Sequence, residues 1–125
     1  MIIGKKIKKI CKKNEVKFII NDDPLLALKL DADGCHLGQK DMNINIAKKI
    51  LGKKIIGVTC HNSINLAKKA IKAKADYIAF GAFNQSKTKK TKYVASVATC
   101  LVFLVLDWLK APKACLLYTS DAADE

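Results

Sequence analysis

Residues 17–41 read KFIINDDPLLALKLDADGCHLGQKD and hold a complete strand–helix–strand unit. Lys17-Phe18-Ile19-Ile20 is a short apolar run, read as a strand over 17–21. It breaks into Asn21-Asp22-Asp23. Asp23-Pro24 then opens a helix, because aspartate caps a helix N-terminus well and proline suits the first helical position. Leu25, Leu26, Leu28 and Leu30 are the expected buried side of that helix. Asp33-Gly34 leads into a second strand, Gly34-Cys35-His36-Leu37-Gly38, which again ends in polar residues, Gln39-Lys40-Asp41.

The same unit recurs outward from this stretch. Upstream, residues 5–16 put Ile7, Ile10 and Cys11 on one face among lysines, the pattern of an amphipathic helix. Downstream, Asn43 caps a helix over Ile44–Leu51, and Gly52 closes it as the left-handed residue after a helix. A third strand over 54–59 runs into Thr59-Cys60-His61-Asn62. Asn62 or Ser63 caps a helix with Leu66, Ala67, Ala70 and Ile71 on one side. A fourth strand over 76–81 is followed by Ser86-Lys87-Thr88-Lys89. The order α-β-α-β-α-β-α-β, with later strands about every 20 residues, implies parallel strands joined by right-handed helical crossovers. The strands are apolar on both faces, as parallel strands under helices are. Every strand ends in candidate site residues and no GxGxxG is present. That favours an α/β fold of the (β/α)₈ (TIM) barrel type over a doubly wound sheet. A whole barrel needs about 250 residues, so four βα units make a partial one.

Composition bounds the rest. The chain has 125 residues, half of them hydrophobic, and a net charge of +12. All 23 basic residues are lysine. Residues 1–93 carry 21 lysines against 7 acids, while 94–125 carry 2 against 4. The lysines lie in scattered pairs such as Lys48-Lys49 and Lys68-Lys69. Arginine is absent and aromatics make up 6%, so the forks and stacking platforms of nucleic-acid readers are missing. Solvated helix faces are the simpler account, and no nucleic-acid or membrane partner is expected. Met1-Ile2-Ile3 is too short for a signal-peptide core, and Tyr93–Leu106 falls short of a membrane span. Five cysteines without framework spacing suit reduced thiols in the cytoplasm. Residues 1–93 form the expected barrel segment. Residues 94–125 differ in composition, with no strand pattern after 110. They fit either an edge strand, a helix and a loose tail, or sequence foreign to the barrel.

Three groups of residues carry candidate chemistry. Asp22 and Asp41, at neighbouring strand ends, are a pair of hard oxygen donors of the kind Mg²⁺ takes together with substrate phosphates. Asp22 or Asp23 as a plain helix cap is the competing account. The segment Gly81–Lys89 offers hydroxyls and ammonium groups to an anion. It misses a P-loop because Ser86 stands where the second glycine belongs. Cys35-His36 and Cys60-His61 suggest zinc only superficially, since adjacent strand residues point to opposite faces. His61 could meet a ligand at its strand end.

The segments Phe18–Asp22, Ala32–Asp41, Ile55–Thr59 with His61-Asn62, and Ala75–Gly81 through Thr88-Lys89 resemble thiamine-phosphate synthase, in that family's order and spacing. The resemblance covers about residues 5–93. It implies a (β/α)₈ barrel that joins hydroxymethylpyrimidine diphosphate to thiazole phosphate, with Mg²⁺, and releases diphosphate. It implies that Asp22 and Asp41 bind the metal. Asn21, Thr59 and Lys89 would hold the pyrimidine diphosphate, with Thr59 and Lys89 assisting the reaction. Ser86, Lys87 and Thr88 would hold the thiazole phosphate. Thr59 stands where the family usually has serine, and Ser86 where it has threonine. A strand that precedes residue 1 in the family, and its later glycine-rich phosphate site, have no match here. The chain alone is therefore expected to be an inactive fragment; a homo-oligomer stays open. The alternatives are a related barrel that tautomerises thiazole phosphate, and a basic nucleic-acid or membrane-surface binder.

Overall fold

The structure is a computed structural model, and it describes residues 2–81, 94, 96 and 114–116. The elements run α1 (Ile2–Lys13), β1 (Ile19–Asn21), α2 (Pro24–Lys29), β2 (Gly34–Leu37), α3 (Ile44–Leu51), β3 (Ile55–His61), α4 (Ile64–Lys72), β4 (Tyr77–Phe80) and β5 (Ala114–Leu116). The chain forms two compact units, Met1–Val58 and Thr59–Glu125, with the boundary inside β3.

In the first unit β1 pairs in parallel with β2, Ile19 opposite Gly34 and Asn21 opposite His36. β2 pairs in parallel with β3, Gly34 opposite Ile55 and Leu37 opposite Val58. One dipeptide sets both registers. The Asp33 backbone donates to the Phe18 carbonyl (2.9 Å) and accepts from the Ile55 amide (3.0 Å). Its carboxylate accepts from the Phe18 amide (2.8 Å). Gly34 follows, and a Cβ there would stand 2.2 Å from the Ile55 carbonyl oxygen. In the second unit the Gly81 amide donates to the His61 carbonyl at 3.1 Å, and β5 pairs in parallel with β4. The sequence shows no strand pattern over 111–125; three residues of pairing at Ala114–Leu116 are too few to leave one.

The helix caps form as expected. The Asp23 side chain accepts from the Leu26 amide with Pro24 in the first turn, Asn43 from the Asn45 amide, and Ser63 from the Leu66 amide. Helix ends follow a common rule. After α1, α2 and α4 the residues Glu15, Asp31 and Lys74 take positive φ (56°, 50° and 60°). The next amide reaches back five residues each time: Val16 to Cys11 at 2.9 Å, Ala32 to Ala27 at 2.9 Å and Ala75 to Ala70 at 3.0 Å. These are Schellman caps built without glycine; after α3 the positive-φ residue is Gly52.

The inward helix faces differ from expectation. In α2, Leu30 is buried as expected, at the helix's C-cap, but Leu25, Leu26 and Leu28 are exposed, and Pro24 and Ala27 are buried in their place. In α1, Ile7 and Ile10 are exposed while Gly4 and Cys11 are half-buried. A Cβ on Gly4 would press within 2.6 Å of Leu30. In α4, Ala67 and Ala70 are buried, with Leu66 and Ile71 half-buried. Ala27, Ala47 and Ala67 recur at the repeat interval, each fully buried. A small side chain lets a helix approach closely, and the neighbouring long ones then splay outward. The first unit's core is completed by Phe18, Cys35, Leu37, Leu51 and Ile56. The latter three are among its larger side chains, worth about 1.5–3 kcal/mol each for full burial.

Removing the Asp33 carboxylate strips the Phe18 amide of its partner. Asp33→Ala should lose about 1–3 kcal/mol of stability in urea denaturation. The Phe18 amide, then Lys17, holds this carboxyl below the usual range. Its contribution is present above the unfolded carboxylate pKa and is lost as pH falls through the lower folded value. A wild-type-like acid limb in Asp33→Ala would contradict this.

Candidate active site at the strand ends

Asn21 closes β1 and is exposed. The next residue, Asp22, takes φ 69°, uncommon for a side chain other than glycine. It is held there by its amide, which donates to the His36 carbonyl at 2.7 Å. Asp23 turns away into its cap. At the end of β2 the chain bends at Gly38, and the Asp41 carboxylate accepts from the Gly38 amide at 2.6 Å. A Cβ on Gly38 would lie 2.8 Å from that same oxygen. Glycine here lets the carboxylate close back on the strand end.

His36 lies between them. It is half-buried, opposite Asn21 in the ladder. Burial holds its imidazole below the ordinary value, while the negative charges of Asp22 and Asp41 oppose that shift. The neighbouring Cys35 thiol is buried and pushed up to about 11, first by desolvation and then by Asp22, Asp23 and Asp41. Asp22 and Asp41 therefore act on one strand end from two loops. The sequence treats His36 only as half of a Cys-His pair. Its place opposite Asn21, once the register is known, is the signal that adds it to this group.

Thr59 lies in the second unit, half-buried in β3 between buried Val58 and Cys60. Cys60 is pushed up to about 12 by burial, so it is an inert thiol. Ser86, Lys87, Thr88 and Lys89 lie outside the described residues.

Two carboxylates without a nitrogen or sulfur ligand form a donor set that suits Mg²⁺. Among the described residues no cluster of three or more His, Cys, Asp or Glu could hold a metal ion. A metal here would draw on Asp22 and Asp41 and fill its shell with water and phosphate oxygens. A cleft of about 780 Å³ lies elsewhere, at the opposite ends of the strands, lined by Lys8, Lys12, Lys17, Lys53 and Lys54 with Asp31 and Asp33. Asp31 binds Lys8 at 2.8 Å and Lys54 at 2.7 Å. Both lysines hold its carboxyl down at about 2. With helix C-termini gathered there, these cations complement exposed carbonyl ends. We read this cleft as structural.

These parallel strands, alternating with helices and carrying polar residues at their C-terminal ends, define an α/β protein of the (β/α)₈-barrel type, present in part. The fold is shared with a thiamine phosphate pyrophosphorylase from Pyrococcus furiosus: TM-score 0.76 and 25% identity, over 94% of this chain and 55% of that one. A family model described as thiamine monophosphate synthase matches residues 2–101. The chain belongs to that family. It is 74% identical over 97 residues to a thiamine-phosphate synthase of Pelagibacter ubique, covering 78% of this chain and 47% of the relative. It is 46% identical over 93 residues to a thiamine-phosphate synthase of Alcanivorax borkumensis, covering 74% and 43%. The chain thus spans about half the length of the curated relatives it matches. Among the described residues no helix is long and apolar enough to cross a membrane.

The two carboxylates favour the imidazolium form of His36, so Asp41→Asn should move its midpoint further down. Gly38→Ala, which pushes the Asp41 carboxylate off its amide, should move it the same way. NMR titration of the His36 ring protons checks both; an unchanged midpoint in Asp41→Asn would separate the two residues.

Proposed function

We propose that this chain is part of an enzyme of thiamine biosynthesis. The complete protein joins hydroxymethylpyrimidine diphosphate to thiazole phosphate, giving thiamine phosphate and diphosphate. Family membership and the names of the relatives support the reaction class. What supports the site is geometry: the Asp22 amide donates to the His36 carbonyl at 2.7 Å and the Asp41 carboxylate closes on the Gly38 amide at 2.6 Å, just past the ends of two paired strands.

In this reading Asp22 and Asp41 would hold Mg²⁺, which when bound would supply positive charge to the diphosphate. Asn21 and Thr59 hold the pyrimidine diphosphate by hydrogen bonds. Lys89 places a positive charge on the same diphosphate, where negative charge grows as its bond to the pyrimidine methylene breaks. Stabilising developing charge is usually the largest catalytic contribution. Ser86, Lys87 and Thr88 hold the thiazole phosphate, so that the ring nitrogen faces the methylene carbon. That nitrogen supplies the electron pair of the new bond, and no side chain is needed as a base. Cys11, Cys35 and Cys60 form no disulfide, which suits the cytoplasm.

The test is the uninterrupted gene product, assayed with both substrates and Mg²⁺. It should form thiamine phosphate. Asp22→Asn and Asp41→Asn should each lower kcat by about a hundredfold or more, and raise the Mg²⁺ concentration needed for half-maximal rate. A complete protein that tautomerises thiazole phosphate but joins nothing would overturn the proposal.

A further inference from the structure

We infer that Gly38 is a positioning residue: its backbone presets the Asp41 carboxylate, with one oxygen committed to the protein and the other left for a cation. The inference rests on the reading that Asp22 and Asp41 hold Mg²⁺. Gly38 and Asp41 exchange two hydrogen bonds. The Gly38 amide donates to Asp41 Oδ2 at 2.6 Å, and the Asp41 amide donates to the Gly38 carbonyl at 3.3 Å. Residues 38–41 thus form a closed turn, and the carboxylate is tied back to the residue that opens it. A short bond from an amide to a carboxylate is among the stronger kinds.

Space, rather than backbone conformation, requires a glycine here. Of the glycines among the described residues only Gly52 has positive φ, so Gly38 makes no use of the left-handed region. A Cβ at 38 would press on one atom, Asp41 Oδ2 at 2.8 Å, with Asp41 Cγ next at 3.7 Å. Gly34 differs, because a Cβ there would strike the Ile55 carbonyl oxygen at 2.2 Å, in the backbone of β3. A side chain at 34 collides with the fold. A side chain at 38 collides with the tip of one carboxylate, which can swing away. The glycine at 38 therefore serves the carboxylate.

The facing loop is set by the same strand. The Asp22 amide donates to the His36 carbonyl at 2.7 Å, and the Asp23 amide reaches back to the Asn21 carbonyl at 2.8 Å. With Asp22 at φ 69° this is a γ-turn of the positive-φ kind, the rarer and strained form. Strain persists where the surroundings fix it. Both acidic loops are thus fastened to backbone groups at the end of β2, the His36 carbonyl and the Gly38 amide, all within the first unit. Mg²⁺ demands near-octahedral geometry, and ligands fixed beforehand lose less freedom when it binds.

The test uses the complete protein and Mn²⁺, which takes the same oxygen donors as Mg²⁺ and is counted by its EPR signal. Gly38→Ala should weaken Mn²⁺ binding about tenfold or more, the effect of losing a group that orients a ligand, while keeping the wild-type urea midpoint. Gly34→Ala should lower that midpoint. Hydrogen exchange at the Gly38 amide reads the contact itself. Asp41→Ala should speed it about tenfold, the size a bond to a charged group supplies. Asp41→Asn keeps an acceptor oxygen and should hold the exchange near the wild-type rate. Unchanged Mn²⁺ affinity in Gly38→Ala, or a fall in its urea midpoint as large as that of Gly34→Ala, overturns the positioning role. Exchange at the wild-type rate in Asp41→Ala overturns the contact. Mn²⁺ affinity in Asp41→Asn tests the underlying reading separately: no change there fails the metal assignment, while the exchange rates still decide the contact.

Discussion

Three strands of the first unit take their alignment from the junction Asp33-Gly34. Asp33 uses its amide, carbonyl and carboxylate on two neighbouring strands, and Gly34 admits the Ile55 carbonyl where any side chain would collide. In a parallel sheet a slip of one residue turns every side chain to the other face. Fixing the strands at their entry fixes what emerges at their exit. Asn21 falls opposite His36, and Asp22 and Asp41 reach the same histidine, because Ile19 falls opposite Gly34. The electrostatics of the strand ends are thus set a full strand length away, by a hydrogen-bonded dipeptide that touches none of them.

The division of labour between the two ends follows from this. At the entry, charges are spent on one another: Asp31 between Lys8 and Lys54, Asp33 with Lys17. At the exit, the Asp41 carboxylate closes on the Gly38 amide, and the negative charges of Asp22 and Asp41 bear on a half-buried imidazole. The two ends of the sheet thus carry different electrostatics: ion pairs at the entry and carboxylates beside an imidazole at the exit.

Much of this was legible in the sequence where chemistry is local. Asp23-Pro24, Asn43, Ser63 and Gly52 announce helix boundaries because capping depends on the residue at that place. The strand ends were legible because apolar runs stop at them. The inward helix faces were not. Hydrophobicity points to Leu25, Leu26 and Leu28, and to Ile7 and Ile10, yet close packing selects Ala27 in α2 and, where α1 meets Leu30, Gly4. Which small residue is used depends on interlayer distance, which no single segment encodes. His36 was passed over for a related reason: its importance comes from a register partner 15 positions away, Asn21.

The three caps closed by Glu15, Asp31 and Lys74 leave an unclaimed reserve. Each forces a left-handed backbone on a residue with a Cβ, at a cost of about 1–2 kcal/mol that glycine does not bear. Asp31 recovers some of it through its two lysines; for Glu15 no ion pair among the described residues does so. The protein therefore sits below the stability its own backbone would permit, and the slack is gathered at the turns that feed the strands, remote from the groups that would face a substrate. Evolution could draw on these turns to offset a destabilising change at the strand ends without altering a single atom there.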